Sequence, residues 1–291
     1  MNTLTGIRVL VTGVGMKLVR HIFHDTITGT PTHLSIVEND GSEYKANVGA
    51  ATALACARAG ASVHIVSRSK EKLDAIARWI LSLVPNADIA VSPVDLGDTD
   101  QIHALTEKIP DNLPLYWVQS VGLGAGSVCI PNDNPYLPIS SVPRILIEAE
   151  LSVVPNTIIL LQSLLPRFRK QAETRICIIS SMSAIRGVVR GSVHNASKGA
   201  LGRFANAAML ELAPENIFVT DIRPGAIDTG LYDAPGVQES VREICRGYGR
   251  KDTGFAPPST VADAIVLALS SQAHFPSINL VARGQFPHEG S

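Results

Sequence analysis

Charge is scarce in this chain, and what there is cancels. Asp, Glu, Lys and Arg make up 18% of the residues, and 25 basic against 26 acidic side chains leave a net charge of −1. No surplus of either sign is available for a polyanion or an anionic membrane surface, so neither nucleic acid nor membrane is an expected partner. Cysteine is equally thin. Cys56, Cys129, Cys177 and Cys245 stand far apart, without CxxC or zinc spacing, which argues against a disulfide framework and a metal centre. Cys56 and Cys177 fall inside apolar runs, where a free thiol acts as a small hydrophobe. The sequence also offers no uninterrupted apolar run of bilayer-spanning length. MNTLTGIRVLVTG lacks the charged stretch and cleavage site of a signal peptide. The expectation is a soluble, reduced, cytoplasmic protein.

What the chain does have is apolar content, 45% of 291 residues, enough for one large core. Short β-rich runs at 7–11, 62–66, 88–92, 115–119, 175–180, 217–222 and 277–282 alternate with helical patterns at 48–60, 69–83, 98–108, 143–171, 195–213 and 260–271. Continuously apolar strands separated by helices imply a parallel sheet covered on both faces. The fold expected is α/β, a doubly wound parallel sheet of Rossmann type, in a single domain over 1–291. One segment breaks the rhythm. After Val11-Thr12-Gly13 the chain should enter a helix, yet that helix starts only near residue 48. Residues 16–46 therefore read as an insertion. Met16 to His24 suggests a short helix, and THLSIVE and SEYKANV flanking Asn39-Asp40-Gly41 suggest a β-hairpin.

A strand that ends in a glycine turn and leads to a helix sets backbone N–H groups where a pyrophosphate can sit. Thr12 and Gly13 end the strand, and Gly49 falls in the first turn of the helix. The same residues serve a tight turn and close helix–sheet packing equally well. The second strand ends SVHIVSRSK, with no acid to read an adenosine ribose but with Ser67, Arg68 and Lys70. If a dinucleotide binds, cations there favour the 2′-phosphate of NADP(H); a solvated loop is the plainer account. Asp95, after the third strand, is placed to meet an adenine edge.

Farther on, RICIISSMSA ends an apolar strand in two serines. His194 follows Ser181 by thirteen residues, and Lys198 lies one helical turn beyond it, on the same face. DIRPGAIDTG then places Pro224-Gly225 at a strand end, with Thr229 in reach of a ligand. Taken in order (Thr12-Gly13 with Gly49, Asp95, Ser181, Lys198, then Pro224-Gly225 with Thr229), the chain resembles the short-chain dehydrogenase/reductase family, classical type, over nearly its whole length outside the insertion.

The resemblance implies a nicotinamide-dependent oxidoreductase that interconverts a ketone and a secondary alcohol. It implies that Ser181 hydrogen-bonds the substrate oxygen and that Lys198 holds the nicotinamide ribose. Thr12, Gly13, Gly49, Ser67, Arg68, Asp95, Gly122, Gly225 and Thr229 would contact the cofactor, NADP(H). His194 stands where the family has its proton-carrying tyrosine, giving a Ser181–His194–Lys198 centre. Other departures are Gln119-Ser120-Val121-Gly122 in place of Asn-Asn-Ala-Gly, and Val153 near the position of the relay asparagine. The charge of Lys198 disfavours an imidazolium, so a histidine here is a ready base and a weaker acid.

The expected substrate is a small polar or carrier-linked metabolite. Two alternatives share the fold: a non-redox isomerase, dehydratase or C–C lyase using His194 as base, and a catalytically silent ligand-binding protein. Residues 229–257 fall at the family's substrate lid. There, Arg242, Arg246 and Arg250 recur at helical spacing, either as an anion site or as a solvated face. Tyr232 reads as a wall residue or a substitute proton donor. His21, His24 and His33 in the insertion lack ligand spacing and read as surface histidines rather than a metal site; Lys17 and Arg20 either replace phosphate contacts or face water. A homodimer or homotetramer through the helices at 143–171 and 195–213 is expected from the resemblance.

Overall fold

The computed structural model describes residues 3–122, 134–247, 254–283 and 285. Seven strands form one parallel sheet: β1 (Arg8–Thr12), β5 (Ser62–Ser67), β6 (Ile89–Pro93), β7 (Leu115–Gln119), β8 (Thr174–Ile179), β9 (Ile217–Pro224) and β10 (Ser277–Leu280). Their spatial order is β10-β9-β8-β7-β1-β5-β6. The chain crosses over at β1, between β5 and β7, so a topological switch point opens at the carboxyl ends of β1 and β7. Thr12 and Gln119 stand on its two sides.

Alternation along β1 sorts the two cores. Val9 and Val11 pack with α1 (Val48–Arg58), α2 (Lys70–Leu83) and α8 (Pro258–Ser270), while Leu10 packs with α3 (Thr99–Lys108), α5 (Val153–Phe168) and α6 (Ser192–Leu212). Helix α1 approaches the sheet closely because most of its buried residues are alanine or glycine. Burying a side chain as large as Trp117 or Phe168 contributes about 2–3 kcal/mol each.

Three expectations are corrected. The segment read as a short helix from Met16 begins instead with a strand, β2 (Met16–Leu18). It pairs antiparallel with β4 (Glu43–Ala46), whose other edge carries β3 (Ser35–Val37), so the inserted hairpin is a three-stranded sheet. The turn between β3 and β4 is where it was expected, with Gly41 at φ +83. The helix expected over 143–171 is interrupted at Ser152, dividing α4 (Arg144–Leu151) from α5. Pro155 explains the break, since it has no N–H for the carbonyl of Leu151. Lastly, Arg144–Phe168 taken together is long and apolar enough to cross a membrane, a test that the core helix of a soluble protein also passes. Leu160, Leu161, Leu164 and Phe168 face the core here.

Candidate active site

Strand β8 runs into two serines that the fold uses differently. Ser180 is buried and its hydroxyl is bound to the carboxylate of Asp221. Ser181 is half-buried; its Oγ accepts from Ser183 N at 3.0 Å and lies 3.4 Å from the carbonyl of Pro224. Helix α6 then brings up His194 in its first turn. Asn195 ties the two segments together, its Nδ2 donating to Ser183 O at 3.3 Å and to Arg186 O at 2.7 Å. The turn carrying Ser181 is thus lashed to the turn carrying His194.

Lys198, one turn deeper in α6, is buried and donates to Ile179 O at 3.1 Å. Its ammonium stands beside Gly122, 3.6 Å from where a Cβ there would lie. Burial pulls the pKa of Lys198 below the ordinary lysine value, and the charges of Glu150 and Asp221 pull it back up in part.

Glu150 is the residue the sequence did not reveal. It closes α4, is 3% exposed, and places Oε1 3.5 Å from Nδ1 of His194. Its carbonyl accepts a 2.6 Å hydrogen bond from Ser197 Oγ, which fixes α4 on α6. The one available signal was a carboxylate in the apolar run RILIEAEL, a turn ahead of Val153.

The glycine turn is built for packing. Gly13 has φ +81, and a Cβ on it would sit 2.6 Å from the carbonyl of Ser120. A Cβ on Gly49 would sit 2.8 Å from Gly13 O. Both are glycine because backbones touch there. The hydroxyl of Thr12 is committed to the sheet, donating to Val118 O at 3.3 Å and accepting from Trp117 Nε1 at 3.2 Å. The insertion leaves and rejoins at one side chain. Asn47, the N-cap of α1, accepts from Gly15 N at 3.0 Å and Ala50 N at 2.9 Å and donates to Gly13 O at 2.8 Å.

The far side of the inserted sheet is bolted to the loop after β9. Lys45 is fully buried, with Nζ 2.6 Å from Asp228 Oδ1 and 2.8 Å from Asp233 Oδ1. Thr32 donates to Asp228 Oδ2 at 2.9 Å, and the N–H groups of Arg20 and His21 donate to Asp233 Oδ2. The insertion therefore spans from the glycine turn to the loop bearing Gly225 and Thr229. On that loop Ala226 N donates to Gln285 Oε1 at 2.9 Å, and Thr229 is half-buried.

Residues that could hold a dinucleotide stand at both ends of the crevice. Arg68 is exposed past β5 beside half-buried Ser67, and Asp95 follows β6 with Oδ1 accepting from Gly97 N at 2.9 Å. Lys198 and Gly122 stand at the other end. Between them, the first-turn N–H groups of Val48 and Gly49 have no intrahelical acceptor by position, while Asn47 has taken that of Ala50.

The remaining candidates fall into place around this centre. Tyr232 stacks with Tyr136 and packs on Phe255, and the two phenols are 3.3 Å apart. Burial first, and for Tyr136 also the charge of neighbouring groups, raises both above the ordinary tyrosine value, so they form a wall. His33 pairs with Glu43 at 3.2 Å, and His21 packs edge-on against Phe23. Arg242 and Arg246 pair with Glu239 along the exposed face of α7 (Pro235–Gly247). Arg250 and Cys129 lie outside the described residues.

Comparison with known proteins agrees with this architecture. The family model of short chain dehydrogenases matches residues 45–236. A dehydrogenase/reductase SDR family protein 7-like of Anopheles gambiae is 27% identical over 218 residues, 73% of this chain and 65% of that protein. The chain thus spans about two thirds of that relative's length. An uncharacterized oxidoreductase of Staphylococcus haemolyticus is 28% identical over 233 residues, 78% of this chain and 88% of its own. Among solved structures, an NADPH-bound short chain oxidoreductase of Pseudomonas aeruginosa PAO1 containing an atypical catalytic center superposes with a TM-score of 0.69. It is 19% identical, over 96% of this chain and 97% of its own.

Proposed function

The chain belongs to the short chain dehydrogenase family and is an oxidoreductase of that type; from this premise we propose that it interconverts a ketone and a secondary alcohol with NADP(H), through a Ser181–His194–Lys198 centre. The observation that supports the reading is that the Ser181 turn is tied to helix α6, which carries both His194 and Lys198. Asn195 holds the Ser181 turn against the His194 turn, and Lys198 rises from the same helix between the ends of β7 and β8. A nicotinamide bound at the switch point supplies or accepts the hydride. Ser181 offers its hydroxyl to the substrate oxygen. His194 gives that oxygen a proton in reduction and takes one in oxidation. Lys198 presents a buried cation to the ribose.

The preference for NADP(H) is supported by Arg68, exposed at the end of β5 with no acid in SVHIVSRSK to take its place. It is supported also by the NADPH held in the Pseudomonas aeruginosa oxidoreductase. The expected substrate is a small polar or carrier-linked carbonyl compound.

Titration of the purified protein with NADPH and NADP⁺, followed by turnover on a panel of ketones, tests this. Saturable NADPH fluorescence quenching with carbonyl-dependent oxidation of NADPH is expected. A second reading, proton abstraction beside a carbonyl without redox, draws support from the buried carboxylate against His194. NADPH binding without turnover on the panel favours it. No nucleotide binding at all defeats the oxidoreductase mechanism written here and points to the silent ligand-binding alternative.

A further inference from the structure

His194 raises a chemical problem. An imidazole has two nitrogens, and a proton carrier must present a defined one of them to the substrate. The structure places a carboxylate beside the ring, at Nδ1. We infer that Glu150 is a positioning residue for His194, holding the proton on Nδ1 and leaving Nε2 as the atom that exchanges protons with substrate.

Three observations carry the assignment. A carboxylate that is 3% exposed is costly unless it is paired. The nearest polar atom of the histidine to it is Nδ1, at 3.5 Å from Oε1, and what faces one ring nitrogen sets the tautomer of the other. The Ser197–Glu150 hydrogen bond of 2.6 Å anchors the end of α4 to α6 next to His194, so the contact is part of the helix packing and not of a loose side chain. The ring itself is 25% exposed, which leaves an edge available outside the pair.

The charged and titratable groups around this pair come from five segments of the chain. Glu150 ends α4, and Lys198 follows on α6. Tyr136, ahead of α4, feels the charge of Glu150 and pairs with Tyr232 from the loop after β9. Asp221 on β9 faces Lys198 from behind. Of these, Glu150 is the anion in contact with the imidazole. With a nicotinamide cofactor bound to supply the hydride, the Nε2–H proton would pass from the imidazolium to the substrate oxygen and leave a neutral ring with its Nδ1–H facing Glu150.

The inference rests on the reading of His194 as the proton carrier, yet its first test needs no turnover. Long-range ¹H–¹⁵N NMR on ¹⁵N-histidine-labelled protein at pH 8, with His194→Asn to assign the ring, reports the tautomer directly. The Nδ1–H form is expected in the wild type, its loss in Glu150→Gln, and its recovery in Glu150→Asp. A wild-type ring carrying its proton on Nε2, or a Glu150→Gln ring unchanged from wild type, overturns the inference. Should Glu150→Gln fail to fold by thermal melting, the wild-type tautomer alone decides. A failure of the ketone panel with the Nδ1–H form present sinks the redox reading and leaves this assignment standing. Where turnover is found, Glu150→Gln lowers kcat for reduction about tenfold while KM stays within about twofold, and Glu150→Asp restores it; an unchanged kcat counts against the role.

Discussion

In the proposed centre an imidazole stands where the family has a phenol, which changes how far the proton-carrying atom reaches. With Ser181 and Lys198 in their proposed roles, His194→Tyr is expected to preserve or raise carbonyl reduction. His194→Ala is expected to lower kcat by about 10²-fold or more, the usual weight of one positioned acid–base group. Steady-state NADPH oxidation on the best ketone of the panel distinguishes them. At the opposite end of the crevice, Arg68 is the cation available to a 2′-phosphate. Arg68→Ala should weaken NADPH about tenfold, the worth of one charge-assisted hydrogen bond, and leave NADH nearly unchanged; equal losses for the two nucleotides would remove Arg68 from that role. That the Ser181 turn lies against the start of the helix carrying His194 and Lys198 was legible, because their spacing is a property of the chain. Glu150 was not, because its nearness to His194 depends on how α4 crosses α6, and no period in one helix encodes that.

Among the elements, the strands of the main sheet could be read directly: parallel strands buried on both faces leave continuous apolar runs. β2 could not, since three residues of MKL carry no period that separates strand from helix, and its pairing with β4 is settled by a partner almost thirty residues away. The hairpin turn was readable from Asn39-Asp40-Gly41, where a positive φ calls for glycine. What the sequence did not show is why the inserted sheet stays where it is. Lys45 lies in β4 between two buried aspartates that receive further hydrogen bonds from Thr32, Arg20 and His21. Removing the ammonium alone leaves buried carboxylates uncompensated. Lys45→Met is therefore expected to cost about 3–5 kcal/mol, a fall in Tm on the order of 10 °C. Adding Asp228→Asn and Asp233→Asn should recover most of it, and calorimetry of the single and triple variants measures both.

Over the whole molecule, acid stability is expected to report on the strand next to the β6 edge of the sheet. His64 in β5 is buried with Nε2 2.8 Å from Ser92 Oγ, and Nδ1 has no hydrogen-bond partner. Burial, with the nearby Arg8 charge adding to it, lowers its pKa from 6.5 to about 4. The unfolded chain thus binds this proton first, so stability falls as pH drops from about 6.5 toward 4 and levels off below that. The loss from this one group is roughly 3 kcal/mol. Urea denaturation between pH 7 and 4 should show it, and His64→Gln should flatten that limb; an unchanged slope in the variant would assign the effect elsewhere.

The closure at Asn47 has one more consequence. Residues 16–46 enter and exit through a gap spanned by a single carboxamide, so they form a cassette that can be spliced out with Gly15 joined almost directly to Asn47. Pared down this way, with Asp228 and Asp233 made neutral, the chain should retain its far-ultraviolet dichroism. It would then show whether the added module guards the crevice or merely decorates its rim.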